Sequence, residues 1–332
     1  MAIANPTVLS NVPAAVDEFY VGALLDEARA VLCHHWLGMK KSVRLRSGHK
    51  LVFRDMPDLA AQTTPVAGVD DPNAVAMTKN DQSVTLAKYV GIIIIEDTVE
   101  FTIEDPILTV AVERAGRQGG LTLEILCRNV MNAGTTVQYS GTAAARNEIV
   151  AKMDKDDLKL AVRYLENQNA EKFSKPILPT TGIGSTPLGA SFFAYIAPNL
   201  AHDVRGYDSF IPVEEYPKQQ QVYQNEIGAD KCGIRYLMTT TAFSVADAGG
   251  NKGSGILSTT GSKADVYSCL IVAKNAYATV ALDKHSMQHI IKDKSRAGSK
   301  ADMYSSVAWK AIFAAKILRE TRMVRIETAV SE

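Results

Sequence analysis

Four cysteines and six histidines are the side chains best able to do chemistry in this sequence, and their spacing decides what that chemistry could be. Cys33, Cys127, Cys232 and Cys269 lie far apart, and no two form a C-x-x-C pair. A structural zinc site needs soft ligands paired at short spacing, so the pattern argues against one. Scattered single thiols read instead as small buried hydrophobes of a reducing compartment. His285 and His289 stand at i, i+4, which on a helix would place both imidazoles on one face as metal ligands. The flanking Leu282-Asp283-Lys284 and Ile290-Ile291-Lys292 read as strand and turn, which removes that face. Cys33 beside His34-His35 offers a nucleophile and a base, the one arrangement from which a cysteine hydrolase could be argued. Neighbours on a helix point about 100° apart, however, and do not face one another.

The motifs that hold phosphates or activate water are missing. There is no G-x-x-x-x-G-K-[ST], no H-E-x-x-H and no G-x-S-x-G. Gly182-Ile183-Gly184 sits in a loop without the strand–turn–helix setting of a dinucleotide site. Gly249-Gly250-Asn251-Lys252-Gly253 reads as a flexible tip, and no two carboxylates pair across a cleft on sequence alone. Accordingly no catalytic, cofactor-binding or metal-binding residue is assigned, no cofactor is expected, and the expectation is a protein that is not an enzyme.

The elements that would position any site point elsewhere. Lys plus Arg and Asp plus Glu each number 36 in 332 residues, so no net charge drives the chain onto nucleic acid or an acidic membrane. Hydrophobic residues at 46% and charged residues at 22% make an ordinary globular mixture, long enough for about two domains. The longest apolar run, Val90 to Ile95, falls far short of the ~20 residues of a membrane helix. The N-terminal MAIANPTVLSNVPAAVDEF lacks a basic region followed by an apolar stretch. The expected product is soluble and intracellular, without a membrane partner.

Residues 1 to 12 read as an extended arm, followed from Ala14 by a helix that Gly38 or Lys40-Lys41 ends. His49 to Arg54 alternates as a strand; Val84, Leu86, Lys88 and Val90 alternate as its return. Between them Asp55 to Gln82 is a long loop of prolines, glycines and acids, able to reach roughly 40 Å from its base. Such a projection either rests on a neighbouring chain or stays mobile. Gly91 to Ile95 reads as a strand buried on both faces, continuing through Glu96 to Val99. Glu104-Asp105-Pro106 starts a helix that Gly134 can cap, with a stripe at Leu108, Val112, Ala115, Gly119, Thr122, Leu126, Asn129 and Ala133. A second helix spans Asp154 to Ala170 with Leu158, Ala161, Val162 and Leu165 on one side, and Pro176 to Gly189 is turn-rich.

Phe192 to Ile196 is a strand, and Pro198 to Val204 starts a helix. Short strands follow at Gly233–Met238, Ala242–Val245, Val266–Val272 and Ala276–Leu282, with Asp247 to Ser262 as a Gly/Ser/Thr loop. Ser306 to Ile317 and Met323 to Thr328 are two further strands. The interleaved Lys310, Lys316, Arg319, Arg322 and Arg325 are either nucleic-acid contacts or solvated faces balancing nearby acids, and the neutral chain favours the second. The outstanding features concern shape: an arm, a projecting loop and an extended helix suit a tile whose partners are copies of itself.

The order of segments resembles the major capsid proteins of tailed phages of the phage N-four (enquatrovirus) type. The resemblance covers roughly residues 40 to 330. It is carried by Glu104-Asp105-Pro106-Ile107-Leu108 opening the long helix and Arg128-Asn129-Val130-Met131-Asn132-Ala133-Gly134-Thr135 closing it. Asn225-Glu226-Ile227-Gly228 follows, before a Gly-x-Arg strand at Gly233 and Arg235, and then Lys274-Asn275-Ala276-Tyr277-Ala278. Its strongest piece is Val307-Ala308-Trp309-Lys310-Ala311-Ile312-Phe313-Ala314-Ala315-Lys316-Ile317-Leu318, with Val324-Arg325-Ile326-Glu327.

The resemblance implies an α+β, Hong Kong 97-type phage capsid fold. Residues 1–36 would form the N-terminal arm and helix, and 37–90 the extended loop over the neighbouring subunit. Residues 91–134 and 286–320 would form a peripheral domain of long spine helix plus β-sheet. Residues 135–285 and 321–332 would form an axial domain, with Asp247 to Ser262 as one tip loop at the hexamer and pentamer axes. It further implies self-assembly into an icosahedral shell enclosing phage double-stranded DNA without reading its bases, located in the virion and assembled in the host cytoplasm. A portal protein is implied as a partner and a decoration protein is possible; since no long helical extension precedes the arm, a separate scaffolding protein, or none, is implied. No lysine, asparagine and acid trio stands out for a covalent cross-link, and Lys79 in the loop reads as solvent-facing. A cargo-enclosing, non-viral shell of the same fold is the alternative within the resemblance.

Overall fold

The computed structural model describes residues 33–46, 48–56, 59–63, 75–102, 107–173, 190–216, 223, 225–283, 287–292, 294, 297 and 301–332. The arm, most of the helix expected from Ala14, the Glu104-Asp105-Pro106 start, His285, and Pro176 to Gly189 with Gly182-Ile183-Gly184 lie outside these residues.

In chain order the first strands are β1 (Met39–Val43), β2 (Lys50–Asp55), β3 (Asn80–Thr85) and β4 (Ala87–Glu96), followed by helices α1 (Asp97–Thr102) and α2 (Ile107–Asn132). Next come β5 (Val137–Tyr139), α3 (Lys155–Asn167), β6 (Phe192–Ile196), α4 (Pro198–Arg205) and β7 (Phe210–Pro212). Then follow β8 (Glu226–Asp230), β9 (Ile234–Met238), β10 (Ser244–Val245) and β11 (Val266–Val272). The chain closes with β12 (Tyr277–Leu282), β13 (Met287–Lys292), β14 (Tyr304–Ile317) and β15 (Met323–Thr328).

These strands make two sheets and a hairpin. In the five-stranded sheet β14 is the hub: β4 runs antiparallel along one side, while β13 and then β12 share the other, and β1 adds in parallel outside β12. The eight-stranded sheet has the order β5-β15-β11-β6-β9-β8-β7, with β10 on β11. Strands β2 and β3 pair only with each other, Lys50 opposite Thr85 through Asp55 opposite Asn80.

Side-chain size explains how α2 lies on the first sheet. Its buried face carries Ala111, Ala115, Gly116, Gly119 and Gly120, so the helix axis can approach β14 closely. A Cβ on Gly119 would stand 2.3 Å from Met287 Cε and 3.1 Å from the Trp309 ring. Alternation on β14 sends Val307, Trp309, Ala311 and Phe313 into this layer, joined by Ile95 of β4. The expected stripe is therefore turned: Val112, Ala115 and Gly119 are buried, but Leu108, Thr122, Leu126 and Asn129 stand at its margin or outside it.

The second sheet packs against α3 and α4. Asp154 caps α3, its carboxylate accepting from the Lys155 N–H at 2.6 Å while Asp157 accepts from the Asp154 N–H at 3.2 Å. Leu158, Ala161, Val162 and Leu165 then face the sheet, as the periodicity predicts. Every residue of β6 and of β15 is buried.

Four local expectations are corrected. Lys40-Lys41 belong to β1, where they pair with β12 instead of ending a helix. Strand β4 is covered on one face alone, with Ile92 61% exposed, because α2 lies on only one side of it. Residues 97–102 form α1 instead of prolonging the strand. The glycines of the supposed flexible tip are also held: Gly249 N–H donates to Ala264 O and Gly250 N–H to Ile149 O, each at 2.9 Å. A Cβ on Gly249 would meet Ile149 O at 2.5 Å.

Candidate functional site: a buried joint, a projecting hairpin and an open sheet face

Three remote segments meet at one carboxylate. Glu124, in the second half of α2, is fully buried. It accepts the backbone N–H groups of Cys33 and His34, each at 2.9 Å, and the ring N–H of His34 at 2.6 Å. The hydroxyl of Thr241, in the β9–β10 connection, donates to it at 3.2 Å. One turn further along α2, the Arg128 guanidinium donates to the Thr241 carbonyl at 2.9 Å. The His34 ring stacks on Tyr195 of β6 at 4.3 Å, and the Tyr277 hydroxyl donates to the His34 carbonyl. Burial by itself raises the Glu124 carboxyl, but the His34 side chain and the backbone N–H groups outweigh it and hold the group below the usual carboxylate range. With the carboxylate ionised, Nδ1 of His34 carries the donated proton. The joint thus ties the entry of the N-terminal segment, the long helix and the second sheet together.

The same geometry separates Cys33 from any nucleophilic role. Burial, then the charge of Glu124, pushes its thiol far above the ordinary range. His35 is driven down to about 4, by burial first and the Lys40 charge second. It lies against Phe313 at 5.8 Å, so thiol and imidazole are not a mutually activating pair. Cys127 and Cys269 are also buried with raised thiols, and Cys232 is raised by burial and Asp230. His289 lies in β13, as its flanks predict. Among the described residues no three His, Cys, Asp or Glu side chains gather where they could hold a metal ion, and no helix is long and apolar enough to cross a membrane.

What stands apart from the two sheets is the hairpin β2–β3. Its inner face, with Leu51, Phe53, Val84 and Leu86, packs on Val43 and Val280 over the β12 end of the first sheet. At its far end Asp55 accepts both arms of Arg319, the Nε bond measuring 3.0 Å. Beyond that clamp every described residue from 56 to 81 is exposed, including apolar Met56, Leu59, Val75 and Met77. Lys79 is exposed, 3.7 Å from Asp81. Beside the hairpin base the same sheet face is open: Val90 and Ile92 of β4 are exposed, and Ala308 lies between Ile92 and Ile290 in cross-strand register. Exposed apolar groups clustered in this way mark contact surfaces.

Of the basic residues near the C-terminus, Arg319 pairs with Asp55, Arg322 lies 3.8 Å from Glu171, and Arg325 reaches Glu327 at 2.9 Å. For these three the contacts support balanced faces over a nucleic-acid stripe. Sequence reasoning missed Glu124, Thr241 and the Asp55–Arg319 clamp. Partners 90, 117 and 264 residues apart give no local periodicity, and the only available signal was an acid on the apolar face of a long helix.

No protein-family profile matches the sequence. No curated protein matches it either. Solved structures do match in fold. The capsid of Ralstonia phage GP4 superposes with a TM-score of 0.66 at 12% identity, over 90% of this chain and 89% of that one. The capsid structure of cyanophage P-SCSP1u gives 0.58 at 13% identity, over 89% and 87%. The capsid asymmetric unit of cyanophage Pam1 gives 0.57 at 14% identity, over 100% of both chains. The fold is α+β, of the Hong Kong 97-type capsid architecture.

Proposed function

We propose that the chain is a structural protein, the major capsid protein of a tailed phage of the N-four type, which assembles as hexamers and pentamers into an icosahedral shell around double-stranded DNA. The observation that carries this reading is the hairpin: from 56 to 81 all its described residues are exposed, large apolar ones among them, on a chain of capsid fold. Such a limb gains its burial from another molecule. In the shell it overlies the open face of β4 on the neighbouring subunit, and each added subunit gains several modest contacts at once from the growing lattice. Contacts of this head-to-tail kind close around local axes, and small hinge changes let one sequence occupy unequal positions.

In this reading residues 1–36 are the arm, 37–90 the extended loop, 91–134 and 286–320 the peripheral domain, and 135–285 with 321–332 the axial domain. By these bounds β1 belongs to the loop and β12 to the axial domain, and both join the sheet built on β14, β12 directly and β1 through β12. The loop Asp247–Ser262 meets its counterparts around the axes. A portal protein, and separate scaffolding or decoration proteins, are the further partners, and the shell is built in the host cytoplasm.

The test is electron microscopy of the chain with and without residues Met56 to Asp81. The intact chain is expected to give particles, sheets or capsomers. The deletion is expected to keep the circular dichroism of the folded chain and to form no closed particle. An intact chain that stays monomeric at high concentration, or a deletion that still closes normal shells, would overturn the proposal.

A further inference from the structure

We propose that the cleft at the base of the hairpin is a docking site for acidic side chains of a second copy of this chain; the inference rests on the shell reading above. The cleft encloses about 410 Å³ between β1, the end of the hairpin, the loop at Glu171 and the exit of β14. Its apolar surfaces come from Met39, Phe53 and Leu318. Lys41, Arg54, Arg319 and Arg322 line it against only two carboxylates, Asp55 and Glu171.

The pairing inside the cleft leaves positive charge over. Asp55 is taken by Arg319. Glu171 is shared between Lys274 at 3.1 Å and Arg322 at 3.8 Å. Arg54 turns to Asp81 at 3.0 Å, which Lys79 also approaches at 3.7 Å. Lys41 is exposed and has no side-chain partner among the described residues. A concave wall of this kind concentrates positive potential, and guanidinium forks match the geometry of carboxylates.

Charge balance identifies the occupant. The whole chain carries 36 basic and 36 acidic residues, so a positive excess in one cleft is matched by a negative excess elsewhere on the same molecule. An identical copy is therefore a complementary partner through a heterologous contact. The cleft has room for a few side chains. Because the cleft walls belong to both hairpin and body, a docked acidic segment would add to the clamp by which Asp55 and Arg319 already hold the hairpin on the body.

Lys41→Glu tests this without touching a native pair, and Lys41→Arg is its conservative control. Lys41→Glu is expected to raise the concentration needed for assembly at least tenfold, while Lys41→Arg assembles as the parent does. Calorimetry with hexaglutamate on the unassembled chain reads the cleft independently of shells: the parent should bind, and Lys41→Glu at least tenfold more weakly. Inorganic phosphate and a short single-stranded oligonucleotide should bind more weakly than hexaglutamate at equal ionic strength. Equal hexaglutamate binding by parent and Lys41→Glu, assembly of Lys41→Glu at parental concentrations, or preference for phosphate or oligonucleotide would each overturn the inference. A parent that binds hexaglutamate but never assembles would instead sink the shell reading.

Discussion

The joint at Glu124 and the hairpin beyond Asp55 follow opposite rules. At the joint, polar groups are taken out of water and each finds a partner: the carboxylate collects two backbone N–H groups, an imidazole N–H and a hydroxyl. Beyond Asp55 the described apolar groups of the hairpin are left exposed to water. Both cost free energy unless matched, since unpaired buried donors and bare apolar surface are each unfavourable. The joint is matched internally, so it belongs to the stability of one molecule. The hairpin's described apolar residues are unmatched, which on the proposed shell reading assigns their value to association. Strand β15 and strand β4 repeat the contrast at sheet level, one buried throughout and the other with one face open.

The largest effect that could break this contrast is at the joint. Glu124→Ala leaves the Cys33 and His34 N–H groups, the His34 ring and the Thr241 hydroxyl without their acceptor. Removing one partner of a buried ionic cluster typically costs about 3–5 kcal/mol. That is a large share of the roughly 5–15 kcal/mol that holds a domain folded. Urea unfolding of the unassembled chain is the measurement; a loss below about 1 kcal/mol would mean that the joint is not an anchor. The pH dependence has a definite sign. The Glu124 carboxyl is depressed in the folded chain, so its stabilisation is present above the unfolded carboxylate value near ~4.3 and fades as pH falls through the folded one. The Ala variant should lack that acid limb.

Legibility in the sequence followed the same division. Strands and helices set by alternation, by caps or by prolines emerged close to their true bounds: β6, β11 and α3 match the pattern of their apolar residues. The hairpin's isolation was legible too, because a stretch so poor in apolar residues cannot make a core of its own. Tertiary choices were hidden. Ile92, Ile93 and Ile94 look alike in sequence, and only the position of α2 decides which face of β4 is covered. The acceptor for Cys33 and His34 comes from a residue about ninety positions away, and nothing local announces it.

A smaller effect sharpens the joint from its other side. His35 is held at about 4 by burial and by Lys40, whereas in an unfolded chain it titrates near ~6.5. Between those values the unfolded chain binds a proton that the folded chain refuses, so stability falls as pH drops from about 6.5 toward 4. The limit of that loss is about 3 kcal/mol, from the size of the shift. His35→Phe, which keeps a ring beside Phe313, should flatten stability over this window in thermal unfolding at successive pH values. A variant that retains the parent's slope there would assign the acid sensitivity to other groups.

The smallest effect on folding lies on the open face. Ile92 and Ile95 stand three residues apart on β4, the first 61% exposed and the second fully buried beneath α2. Ile92→Ser should leave the unfolding free energy within about 0.5 kcal/mol of the parent, whereas Ile95→Ser should cost about 3 kcal/mol or more. On the proposed shell reading assembly should reverse the order of interest: Ile92→Ser keeps a folded chain but weakens shell formation, because it removes apolar area that a neighbour's hairpin would cover. Equal losses in unfolding for the two variants would show that the face is closed within the chain. Unimpaired assembly of Ile92→Ser would move the hairpin's seat to another part of the neighbour. The strand thus separates folding from association across three residues, a distance at which backbone propensity is shared and only burial differs.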